Sequence, residues 1–215
     1  MAFPEQQDRQ LTLALAKALR RTHGRHLSIV EVGNPVLRAQ ARLYQGQVDA
    51  SVFHKLLDAM RSTMLDAPGV GLAAPQIGLP FAFAVVEDHL SKELEGDPRE
   101  FDEFPFHVII NPRYEPVGDQ TASFYEGCLS VPGVEAVRRR WLDIIATWQD
   151  ENGQSHEQKL HGWPARIFQH ETDHLGGELY IDKCEIRSLS TDDNLDEYWA
   201  DPSPFNAAEA MGFEI

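Results

Sequence analysis

The chain has 215 residues, of which 42% are hydrophobic and 25% charged, and its formal net charge is −15. One domain with a sizeable core is expected, because a chain of this length can bury roughly 70% of the surface it exposes when unfolded. The acid excess argues against direct DNA binding, which needs basic patches, and no apolar run reaches the length of a membrane span.

Residues 1–10 carry Glu5 and Asp8, and the apolar run that follows is short and holds Lys17, so no secretory leader is read there. A reduced, cytoplasmic protein is expected. Its two cysteines, Cys128 and Cys184, are then of more interest as ligand or nucleophile than as a disulfide. Residues 10–22 predict a helix with Leu11, Leu15, Ala18 and Leu19 on one stripe and Gly24 at its end. Residues 29–35 form a short extended piece closing in a turn. A second helix covers residues 48–66, with Val52, Leu56, Ala59, Met60 and Thr63 buried.

Pro68-Gly69-Val70-Gly71-Leu72-Ala73-Ala74-Pro75-Gln76-Ile77-Gly78 follows. A dinucleotide loop fails here, since no strand leads in, no third glycine has the right spacing and Pro75 interrupts the helix that should follow. The segment reads as a loop where backbone comes close to a ligand, or as a plain connection between helix and strand. Residues 81–87 predict a buried strand, and 88–105 a polar surface loop flanked by His89 and His107, neither of them read as a ligand. Residues 106–110 predict a strand ended by Asn111-Pro112, and residues 113–117 another closed by Gly118-Asp119.

Cys128 lies in the extended stretch Ser123-Phe124-Tyr125-Glu126-Gly127-Cys128-Leu129-Ser130-Val131-Pro132. Beside Gly127 its thiolate is open to approach, so it reads either as a third metal ligand or as a small buried hydrophobe. Cys184 has no glycine beside it and reads as the hydrophobe. The arginines at 138–140 read as a strand end facing water. Strands over 142–149 and 154–160 are joined by Asp150-Glu151-Asn152-Gly153, whose Asn-Gly is a strong hairpin signal.

A third helix begins near Trp163-Pro164 and stops at Gly176-Gly177. It carries Gln169-His170-Glu171-Thr172-Asp173-His174. Histidines four apart leave the same face of a helix one turn apart and can hold one metal ion. Glu171, on the neighbouring flank, can move a proton of a water there without being a ligand, which is the geometry of metal-assisted hydrolysis. Trp163 and Ile167 share the histidine face and predict an apolar pocket beside the metal. Asp173 points away from it and is expected to pair with one of Arg138–Arg140. After Ile186 the chain turns acidic, yet Trp199, Phe205 and Phe213 suggest that it still packs.

Three segments together resemble the bacterial peptide deformylases: Gly69-Val-Gly-Leu-Ala-Ala-Pro-Gln76, Glu126-Gly-Cys-Leu-Ser130 and Gln169-His-Glu-Thr-Asp-His174. The resemblance spans about residues 27–186. It implies an α+β fold in which antiparallel strands wrap around a central metal-binding helix. Residues 1–26 would be a helical extension, 27–186 the catalytic domain and 187–215 an acidic tail packed on it. It implies a hydrolase that removes the formyl group from the N-terminal formyl-methionine of new polypeptides. Cys128, His170 and His174 would hold Fe2+, a site that Zn2+, Ni2+ or Co2+ can also occupy; ligand chemistry alone suggests zinc. Glu171 would move the protons, while the Gln76 side-chain amide and the Leu129 backbone amide meet the oxyanion. Gly71 and Gly127 would bond the extended substrate, and Val70, Trp163 and Ile167, joined by the His170 ring, would line the methionine pocket. Partners would be N-formylmethionyl nascent peptides and, transiently, the ribosome, although the tail is acidic where some relatives end in a basic docking helix. Glu135 stands where some relatives carry a substrate-contacting arginine.

Two other readings share parts of the pattern. A zinc endopeptidase would use the helix motif with an acidic third ligand such as Glu197, Tyr180 standing where an extended motif needs histidine. A non-catalytic formyl-peptide-binding protein would be expected to lack Glu171, Gln76 or a ligand, and all are present.

Overall fold

The computed structural model describes residues 4–21, 26–89 and 96–215, with side chains in the first helix from residue 8 onward. Helix α1 (Pro4–Arg21) packs on α2 (Ala50–Asp66) through Leu11, Leu15 and Leu19. It starts earlier than the leucine stripe predicts, and Gly24, the expected stop, lies outside the described residues. Helix α2 begins where Asp49 accepts a hydrogen bond from the Ser51 amide, a cap that satisfies a free amide of the first turn. Its buried face holds Phe53, Leu56, Leu57, Ala59, Met60, Thr63 and Met64, with Val52 only partly covered.

A five-stranded antiparallel sheet has the order β1 (Gly71–Ala73), β2 (Phe83–Asp88), β3 (Phe104–Pro116), β6 (Asp143–Gln149), β7 (Ser155–His161). Residues 83–86 of β2 are apolar because both faces of the sheet are covered, and the buried acids Glu87 and Asp88 end the strand. Phe83 and Val85 lie on the side that meets α2, while Ala84 and Val86 lie on the side that meets α3 (Gly162–Leu175). Ala73, Ala84 and Ala165 are fully buried on that second side, and side chains this small let α3 lie close to the sheet. β4 (Thr121–Cys128), β5 (Val131–Trp141) and β8 (Ser190–Thr191) form a separate three-stranded sheet, and α3 touches both sheets. The antiparallel α+β architecture wrapped around the histidine helix is the one expected.

Four local expectations are corrected. The Gly69–Gly78 segment is not all loop: residues 71–73 pair with β2, Gly71 opposite Val86, and a 3-10 turn, Ala74–Ile77, follows. Asn111-Pro112 does not end a strand. Asn111 takes φ 52° in a bulge inside β3, its side chain tied to both backbone groups of Tyr44, and β3 runs on with β6 as partner. Arg138 and Arg140 do not face water; both are buried in β5, and only Arg139 is exposed. Of the tail aromatics, Phe205 is exposed, while Trp199 and Phe213 are half-covered. The tail packs instead through β8, through Ala207 and Ala208 on α5 (Phe205–Met211), and through Ser188, whose hydroxyl accepts from the Val137 amide. A seven-residue helix, α4 (Asp192–Tyr198), lies between β8 and α5. Among the described residues no helix is long and apolar enough to cross a membrane.

Candidate active site

β1 and β4 are the outer strands of their sheets, and both border one cleft of about 550 Å³. Its lining includes Val70, Gly71, Gln76, Gly127, Cys128, Leu129, Trp163, Ile167, His170 and Glu171. His174 is buried behind His170, their ring centres 4.9 Å apart. The eleven residues singled out in the sequence, spread over more than 100 positions, are therefore brought to one place.

One ligand atom each from Cys128, His170 and His174 lies within 4.8 Å of the others, and Cys128 Sγ stands 3.3 Å from His174 Nε2. His170 Nδ1 faces Glu126 Oε2 at 3.0 Å, which leaves Nε2 for the group. Burial holds the His174 imidazole well below its ordinary value, so it is neutral. Burial opposes charge on His170 as well, but Cys128 and Glu126 outweigh it and hold that imidazole up to about 10. One sulfur and two ring nitrogens form a donor set that fits a divalent transition ion, and Cys128 and His170 line the cleft. Glu197, on exposed α4, is no part of this group, and Tyr180 gives its hydroxyl to the Val134 carbonyl while its ring stacks on His170.

Burial pushes the Glu171 carboxyl up to about 7, and Oε2 has no hydrogen-bond partner among the described residues. Its place depends on Gly71: a Cβ there would lie 2.3 Å from Glu171 Oε1 and 2.6 Å from Cγ. The Gln76 amide is oriented by its neighbours. Its oxygen accepts from the Ala73 amide at 2.7 Å, so its nitrogen is turned to Cys128 Sγ, 3.6 Å away.

A buried ionic frame holds these groups, and sequence reasoning missed most of it. Glu126 accepts from Arg140 Nε at 2.6 Å and Nη2 at 2.9 Å and from Arg166 Nη1 at 2.5 Å. Burial alone would raise its pKa, but the Arg140 and Arg166 guanidiniums hold the carboxyl well below the usual range. Arg140 also reaches Asp173 at 2.8 Å, the expected link from helix to sheet, and the Tyr114 hydroxyl donates to the same carboxylate. Gln169 ties α3 to the end of β5 by exchanging bonds with both backbone groups of Trp141. Two signals were available: strand alternation puts residue 126 on the face of 128, and Arg166 lies four before His170. At the rim, Arg99 and Phe101 pack against Trp163, and the Trp163 amide donates to the Glu100 carbonyl. This end of the polar loop is docked on the cleft rather than standing free of it.

The sequence matches the polypeptide deformylase family over residues 26–189. It is 64% identical over 190 residues to the peptide deformylase of Bifidobacterium adolescentis, covering 88% of this chain and 87% of that protein. It is 47% identical over 194 residues to peptide deformylase 1 of Streptomyces coelicolor, covering 89% and 88%. The fold is similar to the Met-Ala-Ser-bound class I type b peptide deformylase of Acinetobacter baumannii, with a TM-score of 0.65 and 30% identity over 74% of this chain and 98% of that one. It is also similar to the Synechococcus elongatus peptide deformylase in complex with actinonin, with a TM-score of 0.63 and 30% identity over 88% and 87%.

Proposed function

The chain belongs to the peptide deformylase family, metal-dependent hydrolases that remove the formyl group from the N-terminus of new peptides, and on that premise we propose which of its residues do the work. Cys128, His170 and His174 hold the metal, Fe2+ in the working enzyme, with Zn2+, Ni2+ or Co2+ able to take its place. The carrying observation is the convergence of their three donor atoms at the floor of a cleft bordered by two open strand edges.

When bound, the ion supplies a Lewis acid and lowers the pKa of water to about 7. The protein's residues do the rest. Substrate lies extended between β1 and β4 and takes backbone bonds from Gly71 and Gly127, a strand added to two exposed edges. Val70, Trp163, Ile167 and the His170 ring receive the methionine side chain. Glu171 accepts a proton from the attacking water at its carboxylate and returns it to the leaving amine as the formyl C–N bond breaks. A carboxyl whose burial sets it near neutrality suits both directions of that transfer. The Gln76 Nε2 amide, pre-turned by Ala73, and the Leu129 amide donate to the oxygen on which charge builds.

The chain's organisation follows: residues 27–186 as the catalytic domain, 1–26 as an extension and 187–215 as a tail packed on it. We place the reaction in the cytoplasm, on formyl-methionyl nascent chains during transient contact with the ribosome. Release of formate from formyl-Met-Ala-Ser by Fe2+-loaded protein under anaerobic conditions is the deciding assay. No formate from fully loaded protein would overturn the assignment. Loss of metal in Cys128→Ala is expected, whereas an endopeptidase with an acidic third ligand would keep it.

A further inference from the structure

The cleft extends past the groups assigned to the reaction, and part of its far end is built by the acidic tail. β8 pairs with β5, Glu135 opposite Ser190 and Val134 opposite Thr191, which carries the chain on to the rim, where Asp192 joins Glu135 and Arg99 in the lining. Glu135 stands on β5 beside Gly127 of the paired strand β4: a Cβ on Gly127 would sit 3.4 Å from its Cγ and from its Oε1. Gly127 is the residue assigned to the substrate backbone, so the Glu135 carboxyl stands in the cleft next to that point of attachment.

The basic side chains of the lining are already matched. Asp97 grips Arg99 with two bonds, Nε to Oδ1 at 2.9 Å and Nη2 to Oδ2 at 2.8 Å, and the guanidinium is held over Phe101 and Trp163. Arg166 is spent on Glu126. Glu135 and Asp192 have no ion-pair partner among the described residues. Burial raises the Glu135 pKa, Asp192 and Asp196 raise it further, and Arg99 opposes them only in part. Two carboxylates thus face one space without a cation of their own.

We propose that Glu135 and Asp192 receive the residues following formyl-methionine and select peptides carrying Lys or Arg there over peptides carrying Asp or Glu. The tail is on this view a specificity element of the cleft. The inference rests on the substrate reading above. Its test compares kcat/KM of the metal-loaded full chain for three C-terminally amidated peptides: formyl-Met-Lys-Lys, formyl-Met-Glu-Glu and formyl-Met-Ala-Ser. The lysine peptide is expected to exceed the glutamate peptide by about tenfold at low salt, the scale of a few partly exposed charge contacts, and by less at high salt. Glu135→Gln with Asp192→Asn is expected to bring that ratio close to one, with unfolding midpoints confirming that the variant is folded. Normal turnover of the Ala-Ser peptide with equal rates for the charged pair would overturn the inference and leave the function standing. So would an unchanged ratio in the folded double variant. Turnover of none of the three would remove both.

Discussion

Glu171 keeps its carboxyl where no side chain fits on residue 71. The glycine's value lies in space and not in flexibility, since β1 is ordinary extended backbone paired with β2. Gly71→Ala places a methyl group 2.3 Å from Glu171 Oε1 and 2.5 Å from Cδ. Because the glutamate is itself buried on a packed helix, the carboxyl must turn away. Two variants are therefore expected to share one phenotype. Glu171→Ala should retain metal and lose about 10²–10⁴-fold in kcat, the usual worth of a positioned acid–base group. Gly71→Ala should retain metal and lose at least about tenfold in kcat, on the same reasoning that a displaced proton carrier forfeits part of that factor. Metal content together with formate release checks both. Near-normal kcat in Gly71→Ala would show that the carboxyl does not need its observed position.

At the scale of elements, ion pairs with one deeply buried member set how strands and helices meet. Glu87 on β2 is 3% exposed and is gripped by Arg61 of α2 through Nε and Nη2, with His89 on the same carboxylate. Arg61 is the main cause of its lowered pKa, with burial acting against it. The sign of the linkage follows. A carboxyl with a depressed folded-state value binds fewer protons folded than unfolded, so its contribution is present above the unfolded value of about 4.3 and is lost as pH falls through the folded value. Arg61→Gln should therefore lose stability near neutral pH, and the gap to the unsubstituted protein should narrow in acid. Denaturant unfolding at pH 7 and below pH 4 measures this, and a gap independent of pH would remove the pair from the account. Such pairs also mark where sequence reading stops. The face of α2, the Asn-Gly hairpin and the histidine helix were legible because their signals are local: apolar spacing, a turn dipeptide, a proline start and a glycine stop. β5 was not, because Arg138 and Arg140 look like surface residues until Glu178, Glu126 and Asp173, far away in the chain, are found beside them. The break expected at Asn111-Pro112 failed for a similar reason. Tyr44, 67 positions away, satisfies the asparagine side chain and turns a stop into a bulge.

Over the whole molecule, the candidate metal site links the helix that packs on one sheet to the outer strand of the other. His170 and His174 stand on α3, which packs its apolar side on the five-stranded sheet, whereas Cys128 ends β4 of the three-stranded sheet. An ion held by all three would cross-link those halves in the folded state and would find no such arrangement once the chain unfolds. Folding and metal binding are then one linked equilibrium, against a background of 34 acidic and 19 basic side chains whose net repulsion favours expansion. At free metal a thousandfold above Kd, the linkage is worth about 4 kcal/mol, and each kcal/mol moves the midpoint of a domain this size by about 2–4 °C. Chelation is accordingly expected to lower Tm by about 10 °C on the same arithmetic. In Cys128→Ser, where the β4 ligand is weakened, most of that difference should vanish and the Tm should lie near that of the chelated parent. Calorimetry of loaded and chelated protein, with metal content measured on each sample, tests it. An unchanged Tm after demonstrated loss of metal would mean that the frame of Glu126, Arg140, Arg166 and Asp173 already holds the sheets together without help. The ion would then be an occupant of the fold and not one of its ties.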